Sequence, residues 1–318
     1  MQISTAVSLP SIGKVTYAAL GGKFIADEIL PYMPVETRTG AYTTIPKGAT
    51  IETGPTRRAP NGAYQRSTFL YGEAQYSCQE EGKEEPMDDV RVLEAGRMFG
   101  NGAFGVRAFC ARRAMDYVMR CREKRLADYY INTTTMTGQT QSLTTAWATV
   151  ASANPPVDVK TAQKSIYDRC GVLADTLVVS RDVRANLNVT AAIVDRVKYT
   201  NPAVSLLNLP DELVAQALGV RKLLVGDAKY NSANEGLTVT LGNIWSSSYA
   251  FLFKQGDGPD LTEPQLGRTF LWTQDSPVPY VTEQYREESV RGDVLRVRQH
   301  IDEVDICLEA AQLIAISA

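Results

Sequence analysis

Apolar and polar positions recur along the chain in three different rhythms, and each predicts a different kind of element. Over residues 106–130, "VRAFCARRAMDYVMRCREKRLADYY", Phe109, Met115, Val118, Met119, Leu126 and Tyr129 return at steps near three or four, as on a helix with one apolar side. Asp116 and Arg120, like Lys124 and Asp128, stand four apart and can pair along that surface. At about 1.5 Å per residue the stretch forms a rod of roughly 38 Å. It follows a helical pattern from Asp88 and a Gly-rich break at 100–105. Short unbroken apolar runs, "TLVVS" (176–180) and "KLLVG" (222–226), read as strands buried on both faces. Before the first of them "NPPVDVKTAQKSIYDRCG" opens with Pro and Asp and closes on Gly171, a helix with start and stop signals, and further helices follow Ser180 and Pro210. Residues 143–277 thus alternate strand and helix as a packed α/β block. The end of the chain, from Pro279, alternates like a long hairpin turning near Gly292 and Asp293, then runs into an apolar strand suited to rejoin that block.

The first 87 residues follow neither rhythm. Residues 1–35 read as an arm: in "GGKFIADEILPYMP", Phe24, Ile25, Ile29 and Leu30 share one side of a short helix that Pro31 and Pro34 shut off. So short a helix needs a surface to lie on, from its own chain or from a neighbour. Residues 36–85 hold eight Thr and only fourteen apolar residues, five of them Ala. Thr repeats around "PNG" predict extended strands about a turn. So few large apolar groups cannot offset the entropy of ordering fifty residues. The segment is expected to be held by something outside itself. The Thr-rich "NTTTMTGQTQSLTTA" (132–146) reads as a linker.

Composition narrows the function classes. The chain has 318 residues, 44% of them hydrophobic, enough for a sizeable core. Thirty-three Lys plus Arg against thirty-six Asp plus Glu give a net charge of -3, without the positive field that a nucleic-acid binder uses to displace counterions. No stretch reads as a signal peptide or a membrane span. Five cysteines, never closer than eleven positions, lack the spacing of zinc or CxxC redox sites, and most read as small core residues.

The candidate chemical motifs fail on context. "GNGAFG" (Gly100, Gly102, Gly105) matches GxGxxG, but a dinucleotide fingerprint needs a strand before it and "DDVRVLEAGRMF" reads as helix. Ser11 to Lys14 fits SxxK without the partner motifs of acyl enzymes. "QEEGKEEPMDD" brings six carboxylates into eleven residues without the ligand spacing of a calcium loop; it reads as a solvated loop whose Asp88 and Asp89 favour a helix start. His300, the only histidine, reads as a surface strand residue. Ser180 reads as a helix N-cap with Asp182 in the first turn. No catalytic, cofactor or metal site is expected.

The order of parts carries a resemblance. A polar arm, an extended loop, a Gly-broken helix with "CREKRLADYY", then "AWATVASANPPVDVKTAQKSIYDRCGVLADTLVVSRDVRANLNVTAAIVDRVKYTN" and "ALGVRKLLVGDAKYN" resemble the major capsid proteins of tailed bacteriophages. Their fold is shared with encapsulins and herpesviruses. The resemblance implies an α+β fold with an amino-terminal arm (1–35), an extended β loop (36–87), a peripheral domain with a long spine helix and linker (88–142), an axial α/β domain (143–277), a peripheral hairpin (278–303) and a return strand (304–318). It implies self-assembly into hexamers and pentamers of an icosahedral shell around phage double-stranded DNA, enclosed without sequence-specific binding. The expected location is the virion, after synthesis in the host cytoplasm. A chain that starts directly with the arm implies a separate scaffolding protein; a portal is a further partner and a decoration protein an optional one. No Lys, Asn and activating Glu set matches the family's isopeptide cross-link, although Lys47 lies in the loop. Inter-subunit contacts are expected at Phe24, Ile25, Arg57, Arg58, Tyr64, Phe69, Glu84, Glu85, Arg113 and Arg120. Arg112, Arg122 and Arg125 are expected to face neighbours too. The alternatives are an encapsulin-like compartment and, from another class, a nucleotide-dependent enzyme built on Gly100–Gly105.

Overall fold

The computed structural model describes residues 7–8, 23–98 except 52, 55, 59, 65 and 67–70, then 102–200, 209–256, 261 and 263–317. β1 (Val7–Ser8) pairs with a strand near the carboxyl end. The short helix α1 (Ala26–Ile29) buries Ile25, Ala26, Ile29 and Leu30, all against its own chain. β2 (Tyr32–Val35) follows at a sheet edge, where Pro34 is tolerated because no ladder bond needs its missing N–H.

The loop segment divides at Cys78. β3 (Thr39–Thr44) and β4 (Gly72–Ser77) form a two-stranded antiparallel hairpin whose connection carries the one-turn helix α2 (Lys47–Thr50). Beyond Cys78 the chain enters β5 (Gln79–Asp88), a ten-residue strand where the acidic run suggests a solvated loop. The strand forms because its partner lies in the same chain and because cations meet its carboxylates: Glu81 pairs with Arg125, Glu84 with Arg296 and Glu85 with Arg113. For residues 79–88 the stabilising surface is therefore intramolecular.

α3 (Asp89–Met98) leads to the spine helix α4 (Gly102–Tyr130), 29 residues and about 43 Å long. Its buried stripe differs from the expected one: Phe109 and Tyr129 are exposed, while Ala111, Ala114, Met115 and Val118 face inward. The supposed linker after it is also ordered into the core, with Met136 buried and β6 (Thr140–Ser142) joining a sheet.

The α/β block, called axial after the expectation above, begins with α5 (Pro155–Cys170), stopped by Gly171 at φ 74°, a left-handed cap that favours Gly. β7 (Thr176–Ser180) is wholly buried. One continuous helix after Ser180 does not form: α6 (Arg181–Val189) and α7 (Ala191–Thr200) break at Thr190, which is extended and whose carbonyl accepts the Ile193 and Val194 amides. α8 (Asp211–Leu218) precedes β8 (Lys222–Gly226), which runs parallel to β7. β9 (Lys229–Asn231) and β10 (Leu241–Asn243) make a small hairpin, and β11 (Tyr249–Phe253) returns antiparallel beside β7. With β15 (Ala311–Ala315) the five-stranded axial sheet has the order β6-β15-β11-β7-β8. Alternation sorts its side chains: Leu177, Val179 and Leu252 face α5 to α8, whereas Val178, Phe251 and Phe253 face Ile25, Ile29, Leu126 and Tyr130.

β12 (Gly267–Trp272), β13 (Val281–Glu287) and the fourteen-residue β14 (Gly292–Asp305) build a second sheet, called peripheral after the same expectation. Its hairpin turns at residues 288–291, just before the expected Gly292. Gly292 lies inside β14 opposite β5, where a Cβ would come within 2.0 Å of the Met87 carbonyl oxygen. The first half of α4 packs on this sheet through Met87, Leu295 and Val297, and the second half packs on the axial sheet. One helix thus joins two cores. Among the described residues no helix is long and apolar enough to cross a membrane.

Candidate functional site

Where the two cores meet, consecutive charged residues of α4 occupy positions that its helical period turns inward. Arg122 continues the line of Met115, Val118 and Leu126, and Glu123 the line of Met119 and Ala127, so both are carried into the interior. Arg122 is completely buried, and Glu303 lies 3.1 Å from its Nε. Its terminal nitrogens donate to Asp27, Tyr32, Thr269 (2.9 Å) and the Leu30 carbonyl (3.4 Å). The surrounding carboxylate and phenol groups hold it charged against the cost of burial. Tyr32, pressed into the same pocket, has its phenol pushed far above the usual range by burial.

Glu123 is equally buried. Its Oε2 accepts the Ile25 and Ala26 amides at 3.0 and 2.8 Å, and its Oε1 the indole N–H of Trp245 at 2.5 Å. Burial dominates and pushes its carboxyl up to about 7; the indole, the two amides and Arg122 offset part of that rise. This junction fixes the root of the arm to the spine. Arg122 does not face a neighbour, contrary to expectation, because every donor direction it has is used within the subunit. The signal in the sequence was its phase: a charge in step with the apolar stripe.

The structure scatters the expected contact residues. Ile25 is fully buried under its own chain and leaves no surface for another, which corrects its assignment. Phe24 packs at the edge of the same core with the Arg120 guanidinium 6.0 Å from its ring, and Arg120 also pairs with Asp116. Glu84 and Glu85 meet Arg296 and Arg113 at 2.7 and 3.3 Å, so these charges are answered in the same chain. Arg125 likewise bridges Glu81 and Glu303. Arg113 and Glu84 are exposed but paired within the subunit; on the hairpin Arg57, Arg58 and Tyr64 are exposed, with Arg58 stacked 4.9 Å over the Tyr64 ring. Phe69 lies outside the described residues.

The hairpin has little core of its own. Tyr76 stacks on Phe270 at 4.7 Å and Tyr42 tilts against the same ring, anchoring its root to the peripheral sheet. Past that platform Ile51, Tyr64 and Tyr71 are 62%, 70% and 60% exposed. Large apolar side chains left exposed on the connection of a two-stranded hairpin offer surface for association.

The features that suggested chemistry are structural. Ser180 caps α6 by accepting the Val183 amide at 3.4 Å. His300 is buried rather than superficial, with Nδ1 at 2.5 Å from Asp275 and its ring edge-on to Trp272, because β14 runs through the middle of its sheet. The segment before Gly100 is the helix α3, so the strand that a dinucleotide turn needs is missing; Gly100 itself lies outside the described residues. A groove of about 860 Å³ runs along α4 past Tyr117, Lys124 and Tyr230, but its cations Arg120, Lys124 and Arg125 already face carboxylates. Among the described residues no three His, Cys, Asp or Glu side chains cluster as a metal site.

No protein-family model matches the sequence, and no curated protein does either. Solved structures do match, and they define the fold: it is that of phage capsid proteins, mixed α and β, over nearly the full chain. A phage-related protein from Bordetella bronchiseptica RB50 superposes with a TM-score of 0.67 at 19% identity, covering 98% of each chain. The capsid of cyanophage P-SCSP1u matches at 0.59 and 11% identity, over 94% of this chain and 89% of that one. The SrpI encapsulin of Synechococcus elongatus PCC 7942 matches at 0.50 and 9% identity, over 99% and 92%.

Proposed function

We propose that this chain is the major capsid protein of a tailed phage: copies join as hexamers and pentamers into an icosahedral shell that encloses double-stranded DNA. It acts as a structural protein rather than an enzyme. The observation that carries the reading is a capsid-type fold over nearly the whole chain, with 98% of each chain covered in the match to the Bordetella protein. The hairpin supports it independently, since Ile51, Tyr64 and Tyr71 remain mostly exposed in the single subunit. A net charge of -3 suits an inner wall that must not grip the polyanion packed against it. Scaffolding protein, portal and decoration protein are the further partners of this reading, and the virion is its location.

The likeness to an encapsulin favours one second reading, a shell around a protein cargo. Electron microscopy of the purified protein, alone and expressed with the neighbouring genes, tests both. Closed particles carrying nuclease-protected DNA support the phage shell. Particles holding a co-purifying protein and no DNA support the compartment. A protein that stays monomeric at all concentrations, with and without those partners, overturns both.

A further inference from the structure

The far end of the hairpin touches its own subunit. β3 leaves the Phe270 platform, and just past Pro46 the Lys47 Nζ lies 2.9 Å from Glu309 Oε2, 262 positions further along the chain. Glu309 sits in a three-residue 3-10 turn, Leu308–Ala310, that feeds β15, an interior strand of the axial sheet. That turn is a firm shelf. Arg169, at the end of α5, donates to the Glu309 and Ala311 carbonyls at 3.4 and 2.8 Å, and the Cys170 thiol points at the Glu309 carbonyl. The Lys47 charge reaches Cys170 as well, opposing the rise that burial gives its thiol. Among the described residues the hairpin thus meets its own chain at two places, through aromatic stacking at the root and through the Lys47–Glu309 ion pair beyond the strands.

We propose that Lys47 and Glu309 form a latch that keeps the hairpin of the unassembled subunit against its own axial domain and opens when a second copy takes the hairpin. The proposal rests on the shell-forming reading above. The two grips differ in strength. Tyr76 is buried against Phe270, whereas Lys47 and Glu309 are 52% and 49% exposed, and an exposed pair holds weakly and is screened by salt. The latch leaves Ile51, Tyr64 and Tyr71 uncovered, so a neighbour that buries them out-competes it. A closed state that must open first lowers the concentration of competent subunits, and weakening it raises assembly by the same factor.

Two measurements test this. A carbodiimide condenses the Lys47 amine with the Glu309 carboxyl into an amide, taking up the released oxygen and two hydrogens as a urea. It is applied to a dilute equal mixture of natural and 15N-labelled subunits, followed by digestion and mass spectrometry. The Lys47–Glu309 peptide pair is expected only in unmixed isotopic form. Mixed pairs making up half the product would place the contact between copies and overturn the latch. In the second measurement, Lys47→Glu and Glu309→Lys are each expected to raise the initial rate of shell formation, followed by light scattering, about two- to fivefold. The double exchange K47E/E309K returns it towards the original rate. Single variants that assemble no faster than the unchanged protein overturn the proposal. If no variant and no unchanged protein forms shells, the shell reading fails, while the isotope experiment still decides the latch.

Discussion

Glu123 accepts the indole N–H of Trp245 at 2.5 Å, across the gap between the spine helix and the loop that enters β11. The same carboxyl holds the arm root through the Ile25 and Ala26 amides, so its protonation state bears on how three elements meet. Burial raises its pKa from 4.5 to about 7. A carboxyl raised on folding binds its proton more tightly in the folded state. Its contribution is therefore fully present below pH 4.5 and is lost as the pH rises through about 7. Glu123→Gln removes that window. The stability of the original minus that of the variant, from urea unfolding of dissociated subunits, is expected to fall by roughly 3 kcal/mol between pH 4.5 and 8. A difference that stays flat would show that Glu123 does not titrate there.

Gly226, at the end of β8, lies directly beneath that indole. A Cβ there would come 2.1 Å from Trp245 Cδ1, and the ring cannot retreat without stretching its bond to Glu123. Gly226→Ala is expected to cost about 1–3 kcal/mol by overpacking. Combined with Glu123→Gln the two losses should sum to less than their separate values, because the first already displaces the indole. Strict additivity in denaturant unfolding would separate the two contacts.

Arg122 predicts a larger loss. Arg122→Met leaves Asp27 and Glu303 facing a neutral side chain and strips Tyr32 and Thr269 of a donor. Breaking a buried, multiply bonded charge in this way costs about 3–5 kcal/mol. Lys in its place keeps the charge but cannot fork to the same set of acceptors, so Arg122→Lys should recover only part of the loss. A variant with an unchanged urea midpoint would mean that the cluster relaxes around the missing group.

The axial block is legible in the sequence because local signals and burial agree there. "TLVVS" is unbroken and apolar, Ser180 is a sound N-cap, and Gly171 meets a left-handed cap, so strand, helix and stop all fall where their chemistry puts them. Residues 79–88 mislead because their order comes from afar. Glu81, Glu84 and Glu85 look solvated until pairing with β14, more than two hundred positions away, brings Arg296 beside Glu84 and the packed helix α4 lays Arg125 and Arg113 beside the other two. Thr140 to Ser142 mislead in the same way, since only β15 turns a Thr-rich stretch into a strand. At the junction the charges of Arg122 and Glu123 argued for the surface and their helical phase for the core; phase prevailed because the arm and Trp245 supply the partners.

The last prediction concerns the outward face of the hairpin. Arg57 and Arg58 are exposed, and Arg58 rests on Tyr64, which presents a cation and an apolar ring together. In the 80–89 run Glu81, Glu84, Glu85 and Asp89 already hold arginines of their own chain, so they make poor first targets for these guanidinium groups. Glu80, half exposed and only 4.0 Å from His300, and the exposed Glu94 on α3 are better placed to receive them from an adjacent subunit. Reversing both charges, R57E/R58E, is expected to cost about 1–2 kcal/mol per contact, chiefly as slower encounter, and to leave the isolated subunit folded and soluble. Repeated over every subunit of a shell, that loss should lower particle yield severalfold at low salt and progressively less as salt screens the pairs. Particle yield by sedimentation, measured across a salt series, decides it: equal yields for the reversed and original proteins at low salt would show that these arginines serve no inter-subunit contact.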